Sequence, residues 1–166
     1  SDRDTTDERG GRTYRSRRLL AMSAEGHDTI ELSEAAFDFA WSPRGDRVAY
    51  SRLAQEPSNA GVLYQTQVWI GSLDGSHELL ADRGIRAAWS PDGTRLAVTS
   101  AEDWRSDVYT HTLSRVVVWD LAARAATDIH AVSGNFASNH VTMFRPLWMP
   151  DVSGLIATWE QTTSHS

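Results

Sequence analysis

The chain has no cysteine and no lysine. Without cysteine, disulfides, thiolate metal sites and cysteine nucleophiles are excluded. All sixteen basic side chains are arginine, which is read as a coding bias and nothing more. No apolar run approaches the ~18 residues that cross a bilayer, so membrane insertion is not expected. The opening residues lack the charged-then-apolar pattern of a secretory signal, and a start at Ser1 rather than Met suits a processed product or a piece of something longer. The net charge is −6 with a pI near 5.4, and no basic face is evident, which argues against nucleic acid as a partner. The one local excess of arginine, Arg3, Arg9, Arg12, Arg15, Arg17 and Arg18, reads as a solvated arm over residues 1–18. No G-x-S-x-G elbow, phosphate-binding loop or H-E-x-x-H is present, so catalysis is not expected, nor is a cofactor.

What the chain does have is seven tryptophans in 166 residues and a sentence written twice. Residues 41–52 read WSPRGDRVAYSR and residues 89–100 read WSPDGTRLAVTS, a spacing of 48. In the second copy Ile85, Ala87 and Trp89 alternate with Arg86, Ala88 and Ser90; after Pro91-Asp92-Gly93, Leu96 and Val98 alternate with polar or small neighbours. Period two means strands, and Pro-Asp-Gly between them means a tight hairpin. Phe37, Phe39 and Trp41, then Val48 and Tyr50, repeat the pattern. A third copy keeps Trp148, Pro150 and Leu155, but its glycine has moved to Gly154, which predicts a turn of different shape. VWIGSLDG (68–75) and VVVWDLAA (116–123) share the 48-residue offset, and LLAMSAEG (19–26) precedes the first of them by 49. The repeating unit is therefore about four strands, a–d: c and d at 19–32, whole units at 37–81 and 85–130, a and b at 145–159, and a short tail at 161–166.

W-S-P-D-G-x-R-[LI]-A followed by an apolar strand and D-G resembles the TolB-like β-propeller repeat, and is also similar to the propeller of prolyl-oligopeptidase-type peptidases. The resemblance covers residues 19–160 and implies an all-β fold of four-stranded antiparallel blades. It departs from WD-type repeats, because their Gly-His pair is missing and Trp119-Asp120 occurs once. The tryptophans are expected to pack between blades. The chain holds three blade equivalents, too few for a ring of about four to eight, so it is expected either to belong to a longer propeller or to pair with a second copy. The homodimer, with c and d of each copy completing a and b of the other, would have the six blades that the resemblance implies. TolB-like proteins also imply, weakly, an envelope or extracytoplasmic setting and a non-catalytic binding or scaffold role. The alternative implied by the peptidase resemblance is a propeller that gates a hydrolase domain absent from this chain.

The working surface is expected where connections are long. The a–b and c–d turns are tight, whereas 53–67 and 101–115 are read as b–c loops and 130–144 as a d–a connection, all three emerging on one face. A protein or peptide partner is expected there, contacted by Tyr64, Asp103, Trp104, Arg105, Asp107, Tyr109, His111, Asn135, Phe136, Asn139 and His140, with Trp104 among charges as an interface anchor. The aromatic residues could equally pin the loops to the scaffold. A zinc-type site of His111, His130 and His140 is a weaker alternative, since their spacing matches no metal motif.

Overall fold

The computed structural model describes residues 4–5, 14–15, 18–34, 36–58, 61–105, 110–135, 139–143 and 145–163. Within them every regular element is a β-strand, in antiparallel sheets of two to four strands. Strands β1 (Asp4–Thr5) and β2 (Tyr14–Arg15) form a short ladder inside the expected arm, and β3 (Leu19–Ala21) pairs with β4 (Ile30–Ser33). A first four-stranded meander follows: β5 (Ala36–Trp41), β6 (Arg47–Ser58), β7 (Gly61–Ser72) and β8 (His77–Ala81). A second comprises β9 (Arg86–Trp89), β10 (Arg95–Arg105), β11 (Thr110–Asp120) and β12 (Ala125–Asn135). The chain then makes β13 (Asn139–Met143), β14 (Leu147–Trp148), β15 (Leu155–Ile156) and β16 (Trp159–Thr163), with β14 on β15 and β13 on β16.

The segments expected to be loops are strands. β6 and β7 pair in unbroken register from Arg47↔Ser72 to Ser58↔Gly61, and β10 and β11 pair out to Arg105↔Thr110. Likewise 130–144 is not an open connection, because β12 continues to Asn135 and β13 begins at Asn139. Val62, Tyr64, Thr66, Val68 and Ile70 recur at period two, a β-favouring run that carries the strand well past the buried sheet. The last hairpin is correspondingly longer than 145–159, and β16 runs into the expected tail.

The three Trp hairpins share one register: Trp41↔Val48, Trp89↔Leu96 and Trp148↔Leu155. Their turns also share one hydrogen-bond pattern. Gly45 N–H donates to Ser42 O at 2.9 Å, Gly93 N–H to Ser90 O at 2.8 Å and Val152 N–H to Met149 O at 3.0 Å. The expectation of a different third turn is thus overturned. Val152, not Gly154, occupies the left-handed position, at φ 63° against 72° and 68° for Gly45 and Gly93. A β-branched residue is strained there, but the strand register on both sides holds the turn in place.

The main core lies between the two four-stranded sheets: Ala49, Val68 and Ile70 from one side meet Ala87, Trp89, Leu96 and Val98 from the other. Trp89 also donates its indole N–H to Ala40 O at 2.9 Å, and Arg47 lies over the same ring at 5.2 Å. One repeat later Trp148 donates to Ala88 O at 2.9 Å under Arg95 at 4.8 Å. A buried indole N–H must find an acceptor, and the carbonyl preceding the previous tryptophan supplies it each time. Gly84, in the link between the sheets, permits their close approach, since a Cβ there would fall 2.6 Å from both Val68 and Val98 methyl carbons. A smaller cluster of Ala21, Leu32 and Val48 seats β3–β4 on the opposite face of the first sheet.

Two substitutions test these packing claims. Relief of the left-handed valine is worth about 1–2 kcal/mol, less the roughly 0.5–1 kcal/mol of extra chain freedom that glycine brings. Val152→Gly should therefore raise Tm by about 2 °C, and thermal unfolding that shows no rise would contradict the strain. Gly84→Ala should overpack the interface by about 1–3 kcal/mol and lower Tm by several degrees in the same assay.

Candidate functional site

The two ends of the sheets differ in chemistry because the chain reverses differently at each. One end carries the a–b and c–d turns, and the carboxylates of Asp46, Asp74, Asp92, Asp120 and Asp151 are occupied by the turns themselves. Asp92 Oδ1 accepts from Ser90 Oγ at 2.5 Å, Thr94 N–H at 3.0 Å and Thr94 Oγ1 at 2.9 Å. Asp74 and Asp151 accept likewise from the backbone and hydroxyl of Ser76 and Ser153. In the first Trp hairpin Arg44 takes the place of Asp92, and Asp46, two residues on, accepts from Ser42 Oγ at 2.9 Å. The Ser90 hydroxyl, with Thr94, holds the Asp92 carboxyl down at about 2. Ser76, Ser153 and Ser42 lower Asp74, Asp151 and Asp46 in the same way. Carboxylates that stay ionised and hydrogen-bonded brace turns; they are poor proton donors near neutral pH.

The other end carries the strand arms, and most of the expected site residues lie there by backbone position. Trp104 pairs with His111, and His111 pairs with Asn135, so the three form one cross-strand row over β10, β11 and β12. Asp103↔Thr112 and Arg105↔Thr110 flank that row. Tyr64 sits opposite Gln55 on the first arm, and Asn139 and His140 sit opposite Thr163 and Thr162 on the third. Asp107, Tyr109 and Phe136 lie outside the described residues. Thr110, Thr112, Thr162 and Thr163, which share these registers, were not singled out by sequence; the alternation of Thr110, Thr112 and Ser114 with His111, Leu113 and Arg115 was the available signal. Of the three histidines, His130 is half of a ring pair with Trp159, at 5.6 Å between centroids. The described residues contain no group of three His, Asp or Glu side chains suited to a metal.

Beside the base of the first arm is an open cleft of about 590 Å³ lined by Glu31, Ser33, Glu34, Arg52, Leu53 and His77. Arg52 does not reach freely into it, for its guanidinium stacks on Trp69 at 4.4 Å, and Glu31 is bonded to Arg18. The cleft joins both signs of charge without a hydrogen-bonded acid–base pair among its described side chains, so the arms remain the better candidate surface. No family model and no curated protein matches the chain.

The Asp92 turn has a pH signature. Its carboxyl is depressed in the folded state, so the stability it contributes is present above the ordinary value of 3.8 and is lost as pH falls through about 2. Asp92→Ala should lower Tm at pH 7, and the gap from the parent should close between pH 4 and pH 2 in a series of thermal melts. A gap that persists unchanged at pH 2 would assign the effect to something other than the ionised carboxylate.

Proposed function

We propose that the two meanders are blades of a TolB-like β-propeller, flanked by two half blades, and that this chain is a non-catalytic binding or scaffold module. Its partner is a protein or peptide, engaged on the end that carries the strand arms. What supports the propeller is the identical register of three Trp hairpins together with the repeated indole-to-carbonyl bond that stacks each on the one before. What supports binding is the row Trp104–His111–Asn135, which sets an aromatic residue and two versatile hydrogen-bonding residues side by side on projecting strands.

Strands serve this purpose better than loops would. A ladder-held arm loses little conformational freedom when a partner docks, so more of the contact energy remains as affinity. An arm also has an edge at which an extended peptide can add a strand. Trp and Tyr provide area on such a surface with few torsions to freeze, and Asp103, Arg105 and Asp107 around Trp104 would form the polar rim.

A random peptide display library panned against the folded chain, followed by titration of the enriched peptides, tests this. Trp104→Ala should weaken the selected peptides about 30-fold, the effect of losing a roughly 2 kcal/mol hot spot, while leaving Tm within about 1 °C. A fall of several degrees in Tm with unchanged peptide affinity would make Trp104 a packing pin and remove the proposed surface.

A further inference from the structure

The sheet-to-sheet contact that this chain makes twice internally is left half-made at each end. At the N-terminal end β3–β4 covers only the outer part of the first sheet, where Leu32 meets Tyr50 and Gly71. The inner strand β5 is left open: Phe39 and Trp41, on the face away from the second sheet, are 56% and 49% exposed. Trp41 holds the position of Trp89 and Trp148, yet its indole N–H has no acceptor among the described residues. At the C-terminal end the deficit is reversed. β14–β15 supplies inner strands, Trp148 and Leu155 face the second sheet, and the paired residues Leu147 and Ile156 point away from it, 60% and 54% exposed. β15 is bonded only to β14 and β3 only to β4, so each has one open edge among the described residues.

We infer that two copies of the chain join head to tail: β3 of each pairs with the open edge of β15 of the other, and Trp41 of each packs over Leu147 and Ile156 of the other. The internal junctions provide the template. Trp89 donates to Ala40 O, Trp148 donates to Ala88 O, and in the next step of that series the acceptor is the carbonyl of Leu147, the residue before Trp148. Pairing β15 with β3 repeats the antiparallel order of β6 with β7 and β10 with β11. Two copies, each contributing its two four-stranded sheets and the complementary pairs β3–β4 and β14–β15, would close a ring of six four-stranded units. Both junctions are then the same contact, related by a two-fold axis.

The terminal junction differs from the internal ones in a way that suits separate chains. Inside, the surface beneath each tryptophan is Ala40 with Ala49, or Ala88 with Ala97, and an arginine, Arg47 or Arg95, covers the ring. At the open end those positions hold Leu147, Ile156 and Gly154. Bulk moves from the charged stack to aliphatic side chains, which makes the contact more apolar, as in subunit interfaces that are permanent. Unlike the functional surface proposed above, which lies on the arms, this contact lies on the sheet faces and inner edges, so either proposal can fail alone.

Light scattering after size exclusion, at tens of micromolar, should give twice the 18.4 kDa chain mass. Trp41→Arg disables one end and Leu147→Arg the other, and since both side chains are already exposed each variant should keep the parent's far-UV spectrum. Either variant alone spoils both junctions and should run as a monomer. Mixed in equal amounts they should return to a dimer, because one of the two junctions then has both natural ends. A parent of 18.4 kDa, a mass that climbs with concentration as an open fibre would, dimers from either variant alone, or no rescue on mixing would each overturn the inference.

Discussion

A tryptophan indole that reaches back to the backbone of the previous repeat is the interaction on which the rest of this structure depends. Trp89 bonds Ala40 O and Trp148 bonds Ala88 O, so each sheet is located on its predecessor by a directional bond as well as by area. The apolar part of the ring sits in the core while its polar atom is satisfied there. Arg47 and Arg95 cover the rings from the other side, adding a cation over each π-face. Hydrophobic burial alone would let one sheet slide on the next; the bond and the stack set its position.

Much follows from that placement. The small residues Ala49 and Ala97 are fully buried because a large ring lies over them, and Gly84 lacks a side chain because two valines already occupy the space. The third turn keeps the shape of the other two, although its sequence opposes it, since Trp148 and Leu155 must stay in register for the indole to reach Ala88. The cost of Val152 at positive φ is local, whereas a slip of one residue would turn every side chain of that hairpin to the wrong face.

The division of labour between the two ends has the same origin. Where the repeat turns tightly, Asp74, Asp92 and Asp151 are engaged by neighbouring hydroxyls and amides. Where the strands run on past the Trp hairpins they are held by their own ladders, and Trp104, His111 and Asn135 stand in one row.

The sequence by itself determined the strand class and where the three Trp hairpins turn, because period-two alternation and Pro-centred turns are local signals written within about ten residues. It also placed most of the candidate site residues at one end, through the alternation of tight and long connections. Only the tertiary structure decided that those connections are strands, for a ladder such as Arg47↔Ser72 to Ser58↔Gly61 depends on a partner strand, whereas the spacing of the repeat showed 53–67 only as a long connection. Only it decided that Val152 adopts a glycine's conformation, that Gly84 marks the closest approach of two sheets, and that Trp89 finds its acceptor 49 residues earlier. Those outcomes belong to pairs of distant segments, and no short stretch of chain encodes a pair.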